Sequence, residues 1–302
     1  MVGKYNITMF AYNEEKNIAR SVSSVFANVD ASLGYLTVIA NGCSDNTVTV
    51  LNELKQKQGL EKLRIVDLEL GDKCNAWNHY THNLADDADV HFFVDADVCF
   101  SQNSFTQLAQ TLLQTPDETV AVAGMPLSGR NLDFYRELIV ERSCFFGNLY
   151  GLKRQFLERV REDSFRLPIG LNWIDSFLTK AVNTDLKFFN YNLPNRVTYK
   201  NNVGYEFDSL SVFKLSDINL YINRIARYEL GKIQEIYLEQ LSVQDWPADM
   251  YEINCKIEQN FVSDTAHLGK VKRYLVRKRL AKLLKKARPN TGVLKSASAQ
   301  NR

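Results

Sequence analysis

The segment Val90-His-Phe-Phe-Val-Asp-Ala-Asp97 ends an apolar run in two carboxylates one residue apart. An apolar run bounded by polar residues reads as a buried strand, so Asp95 and Asp97 are expected where that strand leaves the core. Carboxylates gathered there carry a desolvation cost that a hard cation offsets. The chemistry predicted is a bound Mg2+ or Mn2+ and, through it, the phosphates of a substrate. A D-x-D tripeptide alone says little, but three upstream apolar runs also end in polar clusters. These are Ala11-Tyr12-Asn13-Glu14-Glu15, Asn41-Gly42-Cys43-Ser44-Asp45-Asn46-Thr47, and Gly71-Asp72-Lys73-Cys74-Asn75-Ala76-Trp77-Asn78. Neither G-x-G-x-x-G nor G-x-x-x-x-G-K-[ST] occurs. Phosphates are therefore expected to meet a metal and a lysine in place of a glycine-rich loop.

The elements that would position these clusters alternate along the first 125 residues. Strands are predicted at Tyr5–Ala11, Tyr35–Ala40, Leu63–Leu68, Val90–Val94 and Thr119–Gly124, with helices at Glu14–Val29, Asp45–Lys57, Asp72–Leu84 and Ser104–Gln114. That alternation implies βαβ units, a mainly parallel sheet and helices on both faces. In such a sheet, ligands bind beyond the carboxyl ends of the strands, where the polar clusters lie. Region 126–200 is less regular: helical at Leu132–Arg142 and Ile174–Val182, strand-like at Asn148–Leu152. Beyond about Asp208 the pattern is helical, notably Leu215–Leu241. The division expected is 1–205 as a catalytic domain, 206–288 as a helical region and 289–302 as a disordered tail.

The ordered set Tyr12-Asn13-Glu14-Glu15, Asn41-Gly42-Cys43-Ser44-Asp45-Asn46-Thr47, Gly71…Lys73-x-x-Ala76-x-Asn78 and Asp95-Ala-Asp97 resembles family 2 glycosyltransferases with the GT-A fold, an α/β Rossmann-like architecture. The resemblance is strongest over residues 5–100. It implies a nucleotide-sugar donor, most simply UDP-linked, a divalent metal, and inversion at the anomeric carbon. It also implies donor contacts from Ala11, Tyr12, Asn13, Glu14, Asn41, Asp45, Lys73, Asp95 and Ala96, with Asp97 as the metal ligand. Asn41 replaces the aspartate that family members commonly set against uracil, and its side-chain oxygen can still accept from the base N–H. Leu167-Pro-Ile-Gly-Leu-Asn-Trp-Ile-Asp175 is similar to the family's E-D acceptor motif, with Ile174 in place of the first acid. It makes Asp175 the candidate base that takes the acceptor's proton. Gly147–Arg154 resembles the small-residue strand beside the acceptor. Arg224-Ile-Ala-Arg227-Tyr228 is similar to the Q-x-x-R-W region, with Tyr for Trp, and no role is placed on it.

Other readings compete. Strand-end D-x-D also opens haloacid-dehalogenase-type phosphatases, but Thr119–Gly124 runs into Met-Pro and offers no hydroxyl at its end. A non-catalytic relative serving as a binding module is the third. His79 and His82, three apart, read as exposed or packing residues, and His267 as structural. The net charge of +2 is too small to imply a nucleic-acid partner. Five scattered cysteines without a C-x-x-C point to a reducing compartment. The N-terminus has no long apolar h-region, and no run of about 18 apolar residues occurs, so a cytoplasmic protein is expected. Segment 270–288 carries ten Lys/Arg and no acid. It reads as a basic helix, either packed on its own domain or touching the inner membrane surface through the apolar stripe Val271, Leu275, Val276, Leu280, Leu283 and Leu284. The expected acceptor is a glycan or lipid-linked sugar.

Overall fold

The computed structural model describes residues 3–129, 131–188, 190–207 and 215–286. The predicted tail at 289–302 and the last two residues of the basic segment lie outside them. Among the described residues the strands are β1 (Tyr5–Ala11), β2 (Leu33–Asn41), β3 (Leu63–Leu68), β4 (Val90–Asp95), β5 (Val98–Phe100), β6 (Ala121–Pro126), β7 (Leu149–Lys153) and β8 (Val197–Phe207). The helices are α1 (Ile18–Ala27), α2 (Thr47–Gln58), α3 (Lys73–His79), α4 (Ser104–Leu113), α5 (Leu132–Arg142), α6 (Arg154–Glu162), α7 (Ile174–Asn183), α8 (Leu215–Glu239), α9 (Tyr251–Gln259), α10 (Phe261–Asp264) and α11 (Lys270–Lys286). None of these helices is long and apolar enough to cross a membrane.

The strands form one sheet in the order β3-β2-β1-β4-β7-β6-β8-β5. The first four are mutually parallel. Register carries their ends to one edge: Ala11 lies beside Ala40, Phe10 beside Asp95, and Asn41 beside Leu68. β2 and β3 extend from one side of β1 and β4 from the other. The β1–β4 boundary is therefore where the winding reverses and a crevice opens.

β1 is buried at every position, as a central strand covered on both faces must be. Its side chains alternate between two apolar cores. Tyr5, Ile7, Met9 and Ala11 join Val22, Leu51, Phe92 and Phe105 on one side. Phe10 and Phe93 join Trp77, Phe156, Phe177, Leu230, Ile257 and Leu280 on the other. The C-terminal helices thus share a core with the sheet.

The sheet differs from expectation in its second half. β7 inserts antiparallel between β4 and β6, so the Thr119–Gly124 run, found as β6, does not follow β4 directly. β8 has no counterpart among the strands expected from sequence, because its first half is half-exposed and polar, which hides the apolar alternation. Residue 205 falls inside that strand. The first helix starts at Ile18, since Asn13 takes a left-handed φ of 57° and a turn precedes the helix. Asp72–Leu84 divides into α3 and a π-helical turn at Tyr80–Leu84.

Candidate active site

The D-x-D segment sits at the crevice as its sequence predicts, and its two acids have different surroundings. Asp95 Oδ1 receives Lys73 Nζ at 2.7 Å. Asp97 opens to solvent at the rim and makes no ion pair among the described residues. Its carboxyl is pushed above the usual range by the surrounding protein and then by the Asp95 charge, while Lys73 and Arg224 act against the shift. Glu14, across the crevice, is pushed up by burial; the Asn17 amide opposes this, and the charges of Asp97, Asp95 and Asp45 add to it. Glu14 and Asp97 thus each gain proton affinity from neighbouring carboxylate charge.

Lys73 joins the acids to the acceptor side. Its Nζ lies 3.7 Å from Asp175 Oδ1 as well as against Asp95. Burial alone would lower its pKa, but the two carboxylates outweigh burial and hold the amine cationic. Asp175 stands in the first turn of α7, where the helix N-terminus favours a negative charge. Its Oδ1 is buried and, beyond the Lys73 charge, accepts no hydrogen bond, so its acceptor capacity is not used up within the protein. Gly147 leaves room beside this pair: a Cβ there would lie 2.7 Å from both Asp175 Oδ1 and Lys73 Nζ. Ile174 is 8% exposed within the apolar core, which explains why this chain carries no acid before Asp175.

Several predicted donor residues hold the loops together. Asn41 is buried, and its Oδ1 accepts from the Asp72 backbone N–H at 2.9 Å. The oxygen expected to meet a base is thus already engaged, which leaves the amide Nδ2 as the freer group. Asp72 caps α3 by accepting from Asn75 N and also accepts from Gly170 N at 2.9 Å, tying the third strand end to the acceptor segment. Asp45 accepts from Glu15 N and from both the amide and hydroxyl of Thr47. Protein around it works against ionisation, but these donors prevail and hold its carboxyl low. Asn13 Oδ1 accepts from Ser44 N at 2.8 Å. Ala11 and Ala96 bury their methyl groups, so a ligand could meet only their backbone. Tyr12 is 58% exposed and lies over Gly71.

Other groups around the crevice carried weaker sequence signals. Arg224 and Arg227 on α8 are exposed and close enough to act electrostatically on Asp97 and Lys73 respectively. Arg279 Nε on α11 donates to Asn172 Oδ1 at 3.0 Å, bracing the acceptor segment. Trp173 packs at 5.6 Å from Tyr228 and against Gly231. Position within a motif gave the Arg224–Gly231 region some prominence; nothing local in the sequence pairs residue 279 with residue 172. His79 and His82 do not converge on the acids. His82 Nε2 meets Phe165 O and His79 Nδ1 meets Asn83 Nδ2.

The crevice fits a hard divalent cation that a ligand helps to hold. Among the described residues no three His, Cys, Asp or Glu side chains form a ready metal cage. Mg2+-type ions commonly take one or two carboxylates and complete their shell with phosphate and water. Asp97, with acidic neighbours and no ion-pair partner among the described residues, suits that arrangement.

Similarity to known proteins agrees with this geometry. The profile of Glycosyl transferase family 2 matches residues 7–169, more than half of the chain. No curated protein sequence matches it. Among solved structures, a mannosyltransferase from Pyrobaculum calidifontis, in complex with GDP-Man and Mn2+, is similar with a TM-score of 0.60 at 18% identity. The match covers 95% of this chain and 76% of that one. Glucosyl-3-phosphoglycerate synthase from Mycobacterium tuberculosis, with Mn2+, UDP and phosphoglyceric acid, gives a TM-score of 0.51 at 17% identity, over 75% and 77% of the two chains. The same enzyme with Mg2+ and UDP gives 0.50 at 18%, over 75% and 78%. These likenesses establish a shared fold, and with the sequence profile they place the chain in family 2 of the glycosyltransferases, on a GT-A framework.

Proposed function

We propose that the protein transfers a hexosyl group from a nucleotide-sugar, UDP-linked, to a hydroxyl of a glycan or lipid-linked acceptor, with inversion at the anomeric carbon. The observation that carries this reading is Lys73 held between Asp95 and Asp175, whose Oδ1 accepts no hydrogen bond. Asp97 would hold Mn2+ or Mg2+, the ions found with nucleotides in the similar structures. Such an ion supplies Lewis-acid stabilisation of a leaving diphosphate. Lys73 stays charged and offers the same diphosphate a fixed cation. The Asp175 carboxylate accepts the acceptor's proton as the hydroxyl attacks C1, while Gly147 lets the acceptor's small reacting end come close. Tyr12 and the Asn41 amide face the nucleoside, and Asp72 keeps their loops in register with Asp175. The reading extends to a cytoplasmic enzyme of polysaccharide biosynthesis that meets its acceptor at the inner membrane surface.

A thermal-shift panel of nucleotide-sugars with and without Mn2+ tests the donor. A UDP-sugar is expected to raise the Tm only with metal present, because ligand bound to the native state stabilises it. Equal shifts without metal, or a response confined to other nucleotides, would overturn the UDP and metal assignments. Product anomeric configuration, read by NMR after a single turnover, decides inversion.

A further inference from the structure

The basic helix α11 has a free face, and its chemistry differs from that of the face it buries. Val276 and Leu280 are 0% exposed and Leu283 and Leu284 pack on the same core. Of the apolar stripe expected to touch a membrane, Val276, Leu280, Leu283 and Leu284 are therefore turned inward, against the protein, while Val271 is not. All three arginines with described side chains are also used internally. Arg273 donates to Thr265 O and Ala266 O, Arg277 lies 4.4 Å from the Phe261 ring centroid and 3.6 Å from Glu258, and Arg279 bonds Asn172. Lys272 pairs with Glu229 at 2.6 Å.

What remains outside is Lys270, Val271, Tyr274, Lys278, Ala281, Lys282 and Lys285, spaced by three and four residues and hence on one side of the helix. Among the described residues none of those four lysines makes a hydrogen bond or an ion pair. Val271 is 73% and Tyr274 65% exposed between them. We infer that this face docks the enzyme on an anionic lipid surface, with the lysines over the headgroups and Tyr274 and Val271 at the interface. This deepens the membrane location in the proposed function but does not depend on the donor chemistry.

Three features favour lipid over nucleic acid. The free cations are lysines, whose flexible ammonium groups suit diffuse headgroup charge, whereas bidentate phosphate and base recognition favours arginine, and the three described arginines of this helix are engaged by groups of the protein itself. An apolar and an aromatic side chain interleave the charges, as at membrane interfaces. The whole chain carries only +2, so attraction is local to this face.

The test is co-sedimentation of the full chain with vesicles of phosphatidylglycerol in phosphatidylcholine, compared with phosphatidylcholine alone. Binding should require the anionic lipid and fall with rising salt, because the attraction is screened over about 8 Å at physiological ionic strength. The variant K270E/K278E/K282E/K285E should bind roughly a hundredfold more weakly or worse, each lysine contributing about tenfold or less. Its Tm and its metal-dependent UDP binding should match the parent, which separates this inference from the donor assignment. If the charge-reversed chain fails to fold, four Lys→Gln changes carry the same comparison. Equal binding to neutral vesicles, binding indifferent to salt, unchanged binding by a folded variant, or tighter binding to duplex DNA than to anionic vesicles would each overturn it.

Discussion

Asp97 and Asp175 make opposite contributions, and their surroundings explain why. Asp97, at the solvent-facing rim, has a pKa raised by partial desolvation from the surrounding protein and by the Asp95 charge. A carboxylate whose folded pKa exceeds its unfolded value stabilises the fold only when protonated, and that stability is lost as pH rises through the folded pKa. Asp97→Asn is therefore predicted to raise the Tm of the metal-free protein at neutral pH while abolishing Mn2+-dependent UDP binding. The gain should shrink as pH falls through the folded pKa of Asp97. A Tm–pH profile parallel to that of the parent would refute this account of the site's strain. Asp175→Asn keeps the shape but removes the base, so UDP affinity should survive while turnover falls by about two orders of magnitude or more. Normal turnover would exclude Asp175. Gly147→Ala places a methyl 2.7 Å from both Asp175 Oδ1 and Lys73 Nζ. Transfer should drop by about tenfold or more, since small misplacements of reacting groups are costly. Steady-state kinetics at saturating donor read this directly.

The elements meet at their ends, and the tightest junction lies between the second and third strand-end loops. Gly42 has a φ of 66°, and a Cβ there would fall 2.4 Å from the Gly71 backbone. Both the conformation and the space demand glycine. Gly42→Ala is predicted to cost about 1–3 kcal/mol of stability and to weaken UDP binding, because Asn41 and Asp72 lose their register. Denaturant unfolding together with nucleotide titration would show it, and a change in neither would leave the junction without a role. The same comparison shows what could be read from sequence. Tyr5–Ala11, Leu63–Leu68 and Val90–Val94 were legible because short, largely apolar and β-branched or aromatic runs that end in polar clusters leave few alternatives. The D-x-D, Lys73 and Asp175 positions followed from motif order. The second half of the sheet was not legible: β8 is half polar, and the antiparallel insertion of β7 depends on contacts distant in sequence. The loop-holding roles of Asn41, Asp45 and Asp72 were hidden likewise, since an acid or amide that accepts from backbone N–H looks the same in sequence as one that faces a ligand.

At the scale of the whole molecule, the C-terminal helices and the sheet are built around one apolar cluster. Phe10 and Phe93 from the sheet, Trp77 from α3 and Phe177 from α7 share it with Leu230, Ile257, Val276 and Leu280. The helix that presents lysines outward therefore also supports the crevice from behind, and Arg279 adds a direct bond to Asn172, three residues before Asp175. Removing α11 would expose Val276 and Leu280 and release that bond, so truncation cannot separate a surface role from a structural one. A single core change can. Leu280 is fully buried, and Leu280→Ala should destabilise the chain by about 2–5 kcal/mol. Because both halves share the core, unfolding followed by tryptophan fluorescence and by far-UV circular dichroism should shift together as one transition. Trp77 reports on the sheet; Trp246 reports on the C-terminal helices through its bond to Leu238 O of α8, and on their junction with the rest through Phe165, Phe177 and Phe188. Two separated transitions, with only the helical signal moved by the mutation, would show that the C-terminal helices fold independently and that support of the crevice from α11 is not required.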